Sequence, residues 1–452
     1  MNASVKSVVL AVALAMPTGL RAQLGIVGGP SRLGNPNLTS TCSTAGNYDE
    51  GETNAAASEH ASDAGASGND GRAGDSQFRA FLHRLQVHGT LSQGFIYGSG
   101  NNYLTMNTND GSARWSEGAL NVSSAITENF HAGVQIHSYI MGQIGRGNLQ
   151  VDWAVGDYRV KEWLGFRGGK FKAPMGLFNE IQDTDTLYNW ALLPQSMYEA
   201  EYRSYNIPVV GGEIYGTFRP RKGGRVEVQL FGGRRSVANN DGSDLLAYQL
   251  YGIEIRNVSG YTWGGDLKWM TPIRGLTGAA SLDRTREFIP DAPWPINPFG
   301  VPLVLKIDSV FSREIFSVEY RRGKIDLIAE GKYEPHWVAN NNVSDGYSPR
   351  NAWYVMGSYR PRAKVALGSY FSRVWGTGFI ATFSWPFYNP INPAFYSNDT
   401  VVNARYDLNH YFYVKLEGHY IDGDLAAFFP ETNPDGLQKV TRLAIARVGF
   451  TF

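Results

Sequence analysis

The sequence predicts an all-β protein: a sixteen-stranded antiparallel transmembrane β-barrel over residues 78–452. Three observations predict it. Apolar and polar residues alternate from about residue 82 onward, which is typical of strands with two different faces. Short turns alternate with long loops along the chain, as they do in barrels that cross a membrane. The last strand ends at Phe452, and every second residue before it is apolar.

The alternation is clearest in the first predicted strand. Leu85, Val87 and Leu91 share one face, whereas Arg84 and His88 fall on the other. Several segments run ten residues or more, close to the about 9–11 that a tilted strand needs to cross a bilayer. Strands of a soluble sandwich are usually about 5–6 residues long. The predicted strands cover 82–97, 111–125, 130–144, 149–160, 163–172, 209–219, 225–236, 261–271, 276–289, 306–321, 324–338, 351–361, 364–376, 399–409, 411–424 and 438–452.

The connections between these strands are sorted by length. Short turns such as Arg322-Gly323 follow the even-numbered strands, and long loops such as 173–208 follow most odd-numbered ones. A soluble sandwich has no reason to sort its loops in this way. Short turns face the periplasm in outer-membrane barrels, so an even strand count places both ends of the barrel there.

The first 77 residues differ from the barrel. Residues 1–22 are predicted to be a signal peptide, because Lys6 precedes a short apolar run and Ala22 is a plausible cleavage point. That run is too short to span a bilayer. Residues 23–77 are rich in Gly, Ser, Ala, Asn and Asp. Such a segment buries too little surface to fold, so we expect a disordered tail in the periplasm, without an assigned role.

Composition argues against several classes of function. Lys+Arg and Asp+Glu are both 41, so no nucleic-acid partner is implied. Cys42 is the single cysteine, which rules out a disulfide within one chain and a thiolate metal site. His131 and His137 share a strand face but lie about 20 Å apart, too far to share a metal. We therefore expect no metal, no cofactor and no catalytic residue.

Three stretches carry a resemblance to a known family. The strand ending at Phe452 resembles the assembly signal of outer-membrane barrels, and residues 82–452 as a whole resemble a Gram-negative outer-membrane porin. The segments 169–180 and 193–198 are similar to porin-like proteins of proteobacteria and loosely similar to the phosphate-selective porins. The resemblance implies residence in outer-membrane lipid, a homotrimer, and recognition of the last strand by the barrel-assembly machinery. The Pro-Glu-Phe-Gly-Gly sequence of general porins is absent, so any constriction differs in detail.

The same resemblance implies that the third loop, 173–208, folds into the barrel and narrows it. Acidic loop residues opposite basic wall residues would set up a transverse field, which favours charged and polar solutes. A bulge at Gly168-Gly169 is predicted to turn two following lysines inward. The candidate constriction residues are Lys170, Lys172, Glu180, Asp183, Asp185 and Arg203.

Charged residues on the polar parity of the strands are predicted to line the lumen. A Lys or Arg facing lipid at mid-membrane would cost about 2–4 kcal/mol, so these side chains must face water or one another. Many of them would only hydrate the lumen and brace its wall. The candidate lining residues are Arg84, His88, Arg313, Arg321, Lys332, Arg405 and Lys415.

These features favour a porin that lets small hydrophilic solutes and ions diffuse through the outer membrane. One alternative is a specific channel, either for sugars, given loop aromatics such as Tyr188 and Trp190, or for an anion such as phosphate. A second alternative is an outer-membrane adhesin or enzyme. An actively driven transporter is disfavoured, because residues 23–77 are too short and too polar for a folded plug.

Overall fold

The computed structural model describes residues 84–236, 242–295, 301–340, 344–347, 349–376 and 392–452. The predicted signal peptide and tail therefore lie outside the described residues, as does most of the loop after residue 376. Strands occupy Leu85–Ser99 (β1), Ser112–Ala125 (β2), Phe130–Met141 (β3), Gln150–Lys161 (β4), Leu164–Lys172 (β5), Pro208–Phe218 (β6), Arg225–Ser236 (β7), Ser259–Met270 (β8), Leu276–Trp294 (β9), Leu303–Arg322 (β10), Ile325–Glu334 (β11), His336–Asn340 (β12), Ser344–Tyr347 (β13), Arg350–Arg362 (β14), Val365–Gly376 (β15), Tyr396–Asp407 (β16), Phe412–Gly423 (β17) and Val440–Thr451 (β18).

The helices are few and short. Two α-helices cover Arg203–Asn206 (α1) and Gly242–Tyr251 (α2). Single 3-10 turns cover Thr108–Asp110, Asn179–Ile181, Asp185–Leu187, Ala200–Tyr202, Pro393–Phe395 and Pro430–Thr432. Among the described residues, no helix is long and apolar enough to cross a bilayer.

The strands form one closed antiparallel sheet. Barrel strands that follow one another in sequence are paired, and β1 also pairs with β18 from Thr90↔Thr451 to Ser99↔Arg442. Two backbone hydrogen bonds between Gly89 and Phe452 extend this seam, at 3.1 and 3.0 Å. Closure leaves no strand edge, which lipid would otherwise leave without hydrogen-bond partners.

The described strand segments form sixteen barrel strands, as predicted. β11 and β12 are two parts of one barrel strand, because both pair with β10. The break between them falls at Pro335, which has no N–H to give to the ladder. β13 and β14 likewise continue one another, since they pair with β12 and β11 respectively.

Side-chain parity separates the two faces of the sheet. Val87 and Leu91 are exposed on the outer face of β1, whereas Ile96 on the inner parity is fully buried. The predicted short turns connect the strands at one end, which we call the turn end, and the long loops lie at the opposite loop end. β9 and β10 run 19 and 20 residues, about 60 Å at ~3.3 Å per residue. Both strands are therefore longer than a bilayer is thick. β9 ends at Trp294, whereas its predicted end was residue 289.

Inward-facing aromatic rings lie over glycines on the neighbouring strand. Tyr413 is paired with Gly449, and Tyr215 is paired with Gly165. A methyl group on either glycine would overlap the ring that covers it. Each glycine therefore provides room for a buried ring, and the ring fills the surface that the glycine leaves bare.

We expect Gly449→Ala to destabilise the barrel by about 1–3 kcal/mol, because the added methyl group overpacks a buried site. Gly278→Ala is the matched control, since a Cβ there meets no atom within 4 Å. The temperature at which the folded barrel loses its fast gel mobility measures the effect. Equal temperatures for the two variants would contradict this account of the ring–glycine pairs.

Candidate functional site

Residues 173–207 follow β5 and run through the inside of the barrel; we call them the inner segment. Leu177 N–H donates to Glu330 of β11 at 2.9 Å, and Asn189 donates to Ser358 of β14 at 3.2 Å. Both partners face inward on strands far from β5 in the sheet order. The inner segment therefore crosses the lumen, as expected for the third loop.

Glu330 anchors the first part of the inner segment. Its carboxylate accepts hydrogen bonds from Leu177 N–H, from Ser317 (2.5 Å), from Tyr354 (2.7 Å) and from the hydroxyl of Tyr198. No basic side chain pairs with Glu330 among the described residues. Four donors on one carboxylate replace the counter-ion and tie the segment to the wall.

The second anchor lies on β17 and β18. Glu417 accepts from the amides of Ala191 (2.6 Å) and Leu192 (3.1 Å). Lys415, which is fully buried, donates to the Trp190 carbonyl at 2.7 Å, and Arg447 donates to the Ala191 carbonyl at 3.1 Å. These wall side chains take the place of the ladder partners that irregular backbone lacks.

The predicted acidic loop residues meet basic side chains directly. Asp183 pairs with Lys172, which also contacts Asp152 at 3.0 Å. Asp185 pairs with Arg447 at 3.0 Å and with Lys415 at 3.7 Å. Burial alone would raise the pKa of Asp183, but the Lys172 ammonium holds that pKa well below its usual range. These contacts brace the segment, and they replace the open gap between opposite charges that the sequence suggested.

Arg203, at the end of the inner segment, joins the same network from the side of β2. It contacts Glu117 at 2.6 Å, and Glu117 also accepts from Arg447 at 2.7 Å. His137 of β3 lies 3.0 Å from the same carboxylate. The carboxylate of Glu117 therefore links the last strand of the barrel to the end of the inner segment.

Lys170 lies elsewhere than expected. The β5 register runs through Gly168 and Gly169 without the predicted bulge. Phe171 therefore stays on the inner parity and is buried, whereas Lys170 shares the outer parity of Phe166 and bonds the Val151 carbonyl. Lys172 reaches the interior because it ends the strand. The expectation that the bulge turns both lysines inward is therefore wrong for Lys170.

Glu180 and Lys268 keep more exposure than the pairs of Asp183 and Asp185 with Lys172, Lys415 and Arg447. Their charged groups lie 3.9 Å apart, with side chains 15% and 12% exposed, and Lys268 is also 3.6 Å from Asp266. Residual exposure inside the barrel means that water reaches this pair. The Glu180 side of the inner segment is therefore a candidate wall of the permeation path.

The remaining predicted lining residues occupy different depths. Arg84 and His88 share the inner parity of β1, with Arg84 exposed at the turn-end rim. The others pair with neighbours: Arg313 with Asp283, Arg321 with Asp326, Lys332 with Glu334, and Arg405 with Asp407 and the Tyr188 carbonyl.

Three important groups were absent from the predicted site. Glu330 and Glu417 fall on the polar parity of their strands, so the sequence indicates that they face inward but not that the inner segment lies against them. Arg447 could have been found in the same way, because it alternates with the apolar residues before Phe452. Among the described residues, no three His, Cys, Asp or Glu side chains form a metal-binding group.

Loops at the loop end pack on the inner segment. Leu104, Met106, Leu192 and Phe428 belong to one buried apolar cluster. Glu201 accepts from the amide of Ala427 at 3.1 Å. Burial, with a smaller contribution from nearby Glu199, raises the pKa of Glu201 to about 7.

A cavity of about 350 Å³ opens at the turn end between the inner segment and β10, β11 and β14. Trp190 and Phe178 line one side, and Glu319 and Arg321 line the other. This cavity and the Glu180–Lys268 pair lie on the same side of the inner segment.

The fold is similar to that of several solved outer-membrane proteins. A loop L8 deletion mutant of OmpT, an outer membrane protein of Vibrio cholerae, matches with a TM-score of 0.50 at 11% identity, covering 81% of this chain and 99% of that chain. Pseudomonas putida OprB in a high-pH structure matches with a TM-score of 0.50 at 11% identity, covering 84% and 97%. An anion-selective porin from Comamonas acidovorans gives a TM-score of 0.49 at 9% identity, covering 81% and 99%.

No protein-family model and no curated protein matches the sequence. The expected resemblance to Gram-negative outer-membrane porins is confirmed at the level of the fold, which is that of outer-membrane barrels. Identities near 11% relate the folds alone, so the function has to be argued from this chain's own interior.

We expect Glu417→Ala to lower the protection of the Ala191 and Leu192 amides against hydrogen exchange by about 2 kcal/mol, because two buried donors lose a charged acceptor. The matched control is Glu162→Ala, which removes a carboxylate 77% exposed in a turn and paired with Arg219. Such surface pairs contribute about 0–1 kcal/mol. Unchanged protection in Glu417→Ala would contradict the anchoring role.

We expect the packing around Glu201 and Ala427 to loosen as pH rises, because burial disfavours the ionised carboxylate more than the Ala427 amide favours it. The folded-state pKa of about 7 lies above the ordinary 4.5, so protonation of Glu201 favours the packed state, and this contribution is lost as pH rises from about 4.5 through 7. Hydrogen exchange at Ala427, corrected for intrinsic rates, should be faster at pH 8 than at pH 6. Glu201→Gln should remove the difference, and a difference that persists would contradict this cause.

Proposed function

We propose that the protein is an outer-membrane porin that admits small hydrophilic solutes by passive diffusion. The observation that carries this proposal is the inner segment, which crosses a closed barrel and is held to the opposite wall by Glu330 and Glu417. A closed barrel makes a pore, and a fixed segment inside it limits the size of what passes.

The position of charge inside the barrel supports a path along the Glu180 side of the inner segment. Asp183, Asp185 and Arg203 are each buried against a partner of opposite charge, whereas Glu180 and Lys268 keep some exposure. We therefore propose that the constriction is formed by Glu180 and Lys268 and backed by the buried pairs. The network around Lys172, Asp183, Asp185 and Arg203 would set the position of the segment.

The alternatives differ in the chemistry they require. An anion channel, for phosphate for example, would need basic side chains free of partners, whereas Lys172, Arg313 and Lys415 are buried against acidic or carbonyl oxygens. Trp190 and Tyr370 are in edge-to-face contact, with ring centroids 5.0 Å apart. Because aromatic rings are the basis of the sugar alternative, a sugar channel is the second candidate. We assign no catalytic role to any residue.

Membrane placement follows from the same proposal. We propose that the turn end faces the periplasm together with the chain segment before β1, that the barrel forms a homotrimer, and that the assembly machinery reads the strand ending at Phe452. Cross-linking of the protein in native membranes, followed by sizing, tests the trimer.

We expect the purified protein to give stable conductance steps in a planar bilayer. Trp190→Ala should enlarge these steps, because it removes a buried ring of the inner segment from the lumen. Trp163→Ala is the matched control, since Trp163 is 54% exposed in the turn between β4 and β5 and its loss should leave the step size unchanged. Absence of conductance, or equal steps in both variants, would contradict the proposed function.

A further inference from the structure

The turn-end cavity has an apolar side large enough for a small organic molecule. Phe178, Leu187 and Trp190 from the inner segment face Ile328 and Met356 from the wall. Its volume of about 350 Å³ lies within the range of pockets that hold small ligands, which begins at about 300 Å³. A flat apolar body would be covered on both sides here.

Glu319, on the other side of the cavity, has a carboxylate oxygen without a hydrogen-bond partner. Glu319 is 3% exposed, it lines the cavity, and its Oε1 atom is buried without a hydrogen-bond partner. A buried carboxylate oxygen without a donor is costly. A ligand that brings a donor and a positive charge would remove that cost.

The basic groups that line the same cavity already have partners. Arg321 donates to Asp326 at 2.8 Å. Arg360 pairs with Asp407 at 3.0 Å and donates to Asn189 at 3.2 Å. The guanidinium groups are thus neutralised in place, and they offer an anion less than Glu319 offers a cation.

The side chains just beyond the cavity wall also carry more negative than positive charge. Lys268 lies just beyond the residues that line the cavity, and it already contacts Asp266 at 3.6 Å and Glu180 at 3.9 Å. It also interacts electrostatically with Glu319. Arg321 also attracts Glu319 but is bonded to Asp326. Four carboxylates therefore share two basic groups, which leaves a local surplus of negative charge.

We propose that the turn-end cavity is a binding site for small organic cations, that is, amines with an apolar or aromatic body. The ammonium group donates to Glu319 Oε1, and the apolar body packs between Trp190 and Met356. The aromatic face of Trp190 adds an attraction for positive charge. Lys324 stands at the exposed rim, where its ammonium donates to the Pro361 carbonyl at 2.8 Å, and it disfavours a second positive charge on the ligand.

Isothermal titration of the full-length protein in detergent, with three probes of similar shape, tests this inference. Phenethylamine should bind at least about tenfold more tightly than phenethyl alcohol or 3-phenylpropionate, because a hydrogen bond between charged groups is worth a factor of that order. Glu319→Gln, which keeps the size of the side chain, should abolish the preference for the amine.

Glu213→Gln is the matched control, because Glu213 is also a buried, inward-facing carboxylate but pairs with Arg167 away from the cavity. It should leave amine binding unchanged. Tighter binding of 3-phenylpropionate, no binding of phenethylamine, or equal amine binding in wild type and Glu319→Gln would overturn the inference.

This site does not depend on conduction, so the two proposals can fail separately. The same preparation is tested in a planar bilayer. If the barrel conducts but does not bind phenethylamine, the result contradicts the cation site alone. A barrel that binds phenethylamine through Glu319 but never conducts leaves the site standing and contradicts the porin.

Discussion

The hydrogen bonds between β1 and β18 are the constraint on which the rest of the structure depends. A bilayer offers no partner to an unpaired backbone amide, so a sheet that crosses it must close on itself. Closure at Gly89 and Phe452 fixes which parity of each strand faces outward. Closure also places the polar side chains of all the strands in one enclosed interior. There, charged groups need either partners or water.

The inner segment satisfies a large part of that requirement. Irregular backbone inside a barrel has no ladder to complete its hydrogen bonds, and wall charges inside a narrow lumen have limited access to water. Glu330, Glu417 and Lys415 meet both needs at once, because each bonds backbone groups of the segment. The charged side chains of the interior therefore serve mainly to hold the inner segment in place. Glu180, Lys268 and Glu319 are among the groups that keep some exposure or an unpaired atom, and we regard them as the best placed to meet a solute.

Much of this architecture could be predicted from the sequence because strand parity and turn length are local signals. The sixteen strands and the short turns were predicted within a few residues, although Pro335 divides one strand and β9 extends beyond its predicted end. The predicted bulge at Gly168-Gly169 was wrong, since glycine permits a bulge without requiring one. Asp185 and Arg447, for example, are in contact although they are 262 positions apart in sequence (447 − 185). Parity shows that such residues face inward but cannot show which of them meet.

A disulfide between the inner segment and the opposite wall tests the central claim most directly. Asn189 and Ser358 are in hydrogen-bond contact, so cysteines at these two positions, with Cys42 replaced by Ser, should form a disulfide on mild oxidation while the conductance steps stay unchanged. Asn189→Cys with Ser309→Cys, an inward position on β10, should stay reduced. Failure of the 189–358 pair to oxidise in the folded barrel would contradict an inner segment fixed across the lumen.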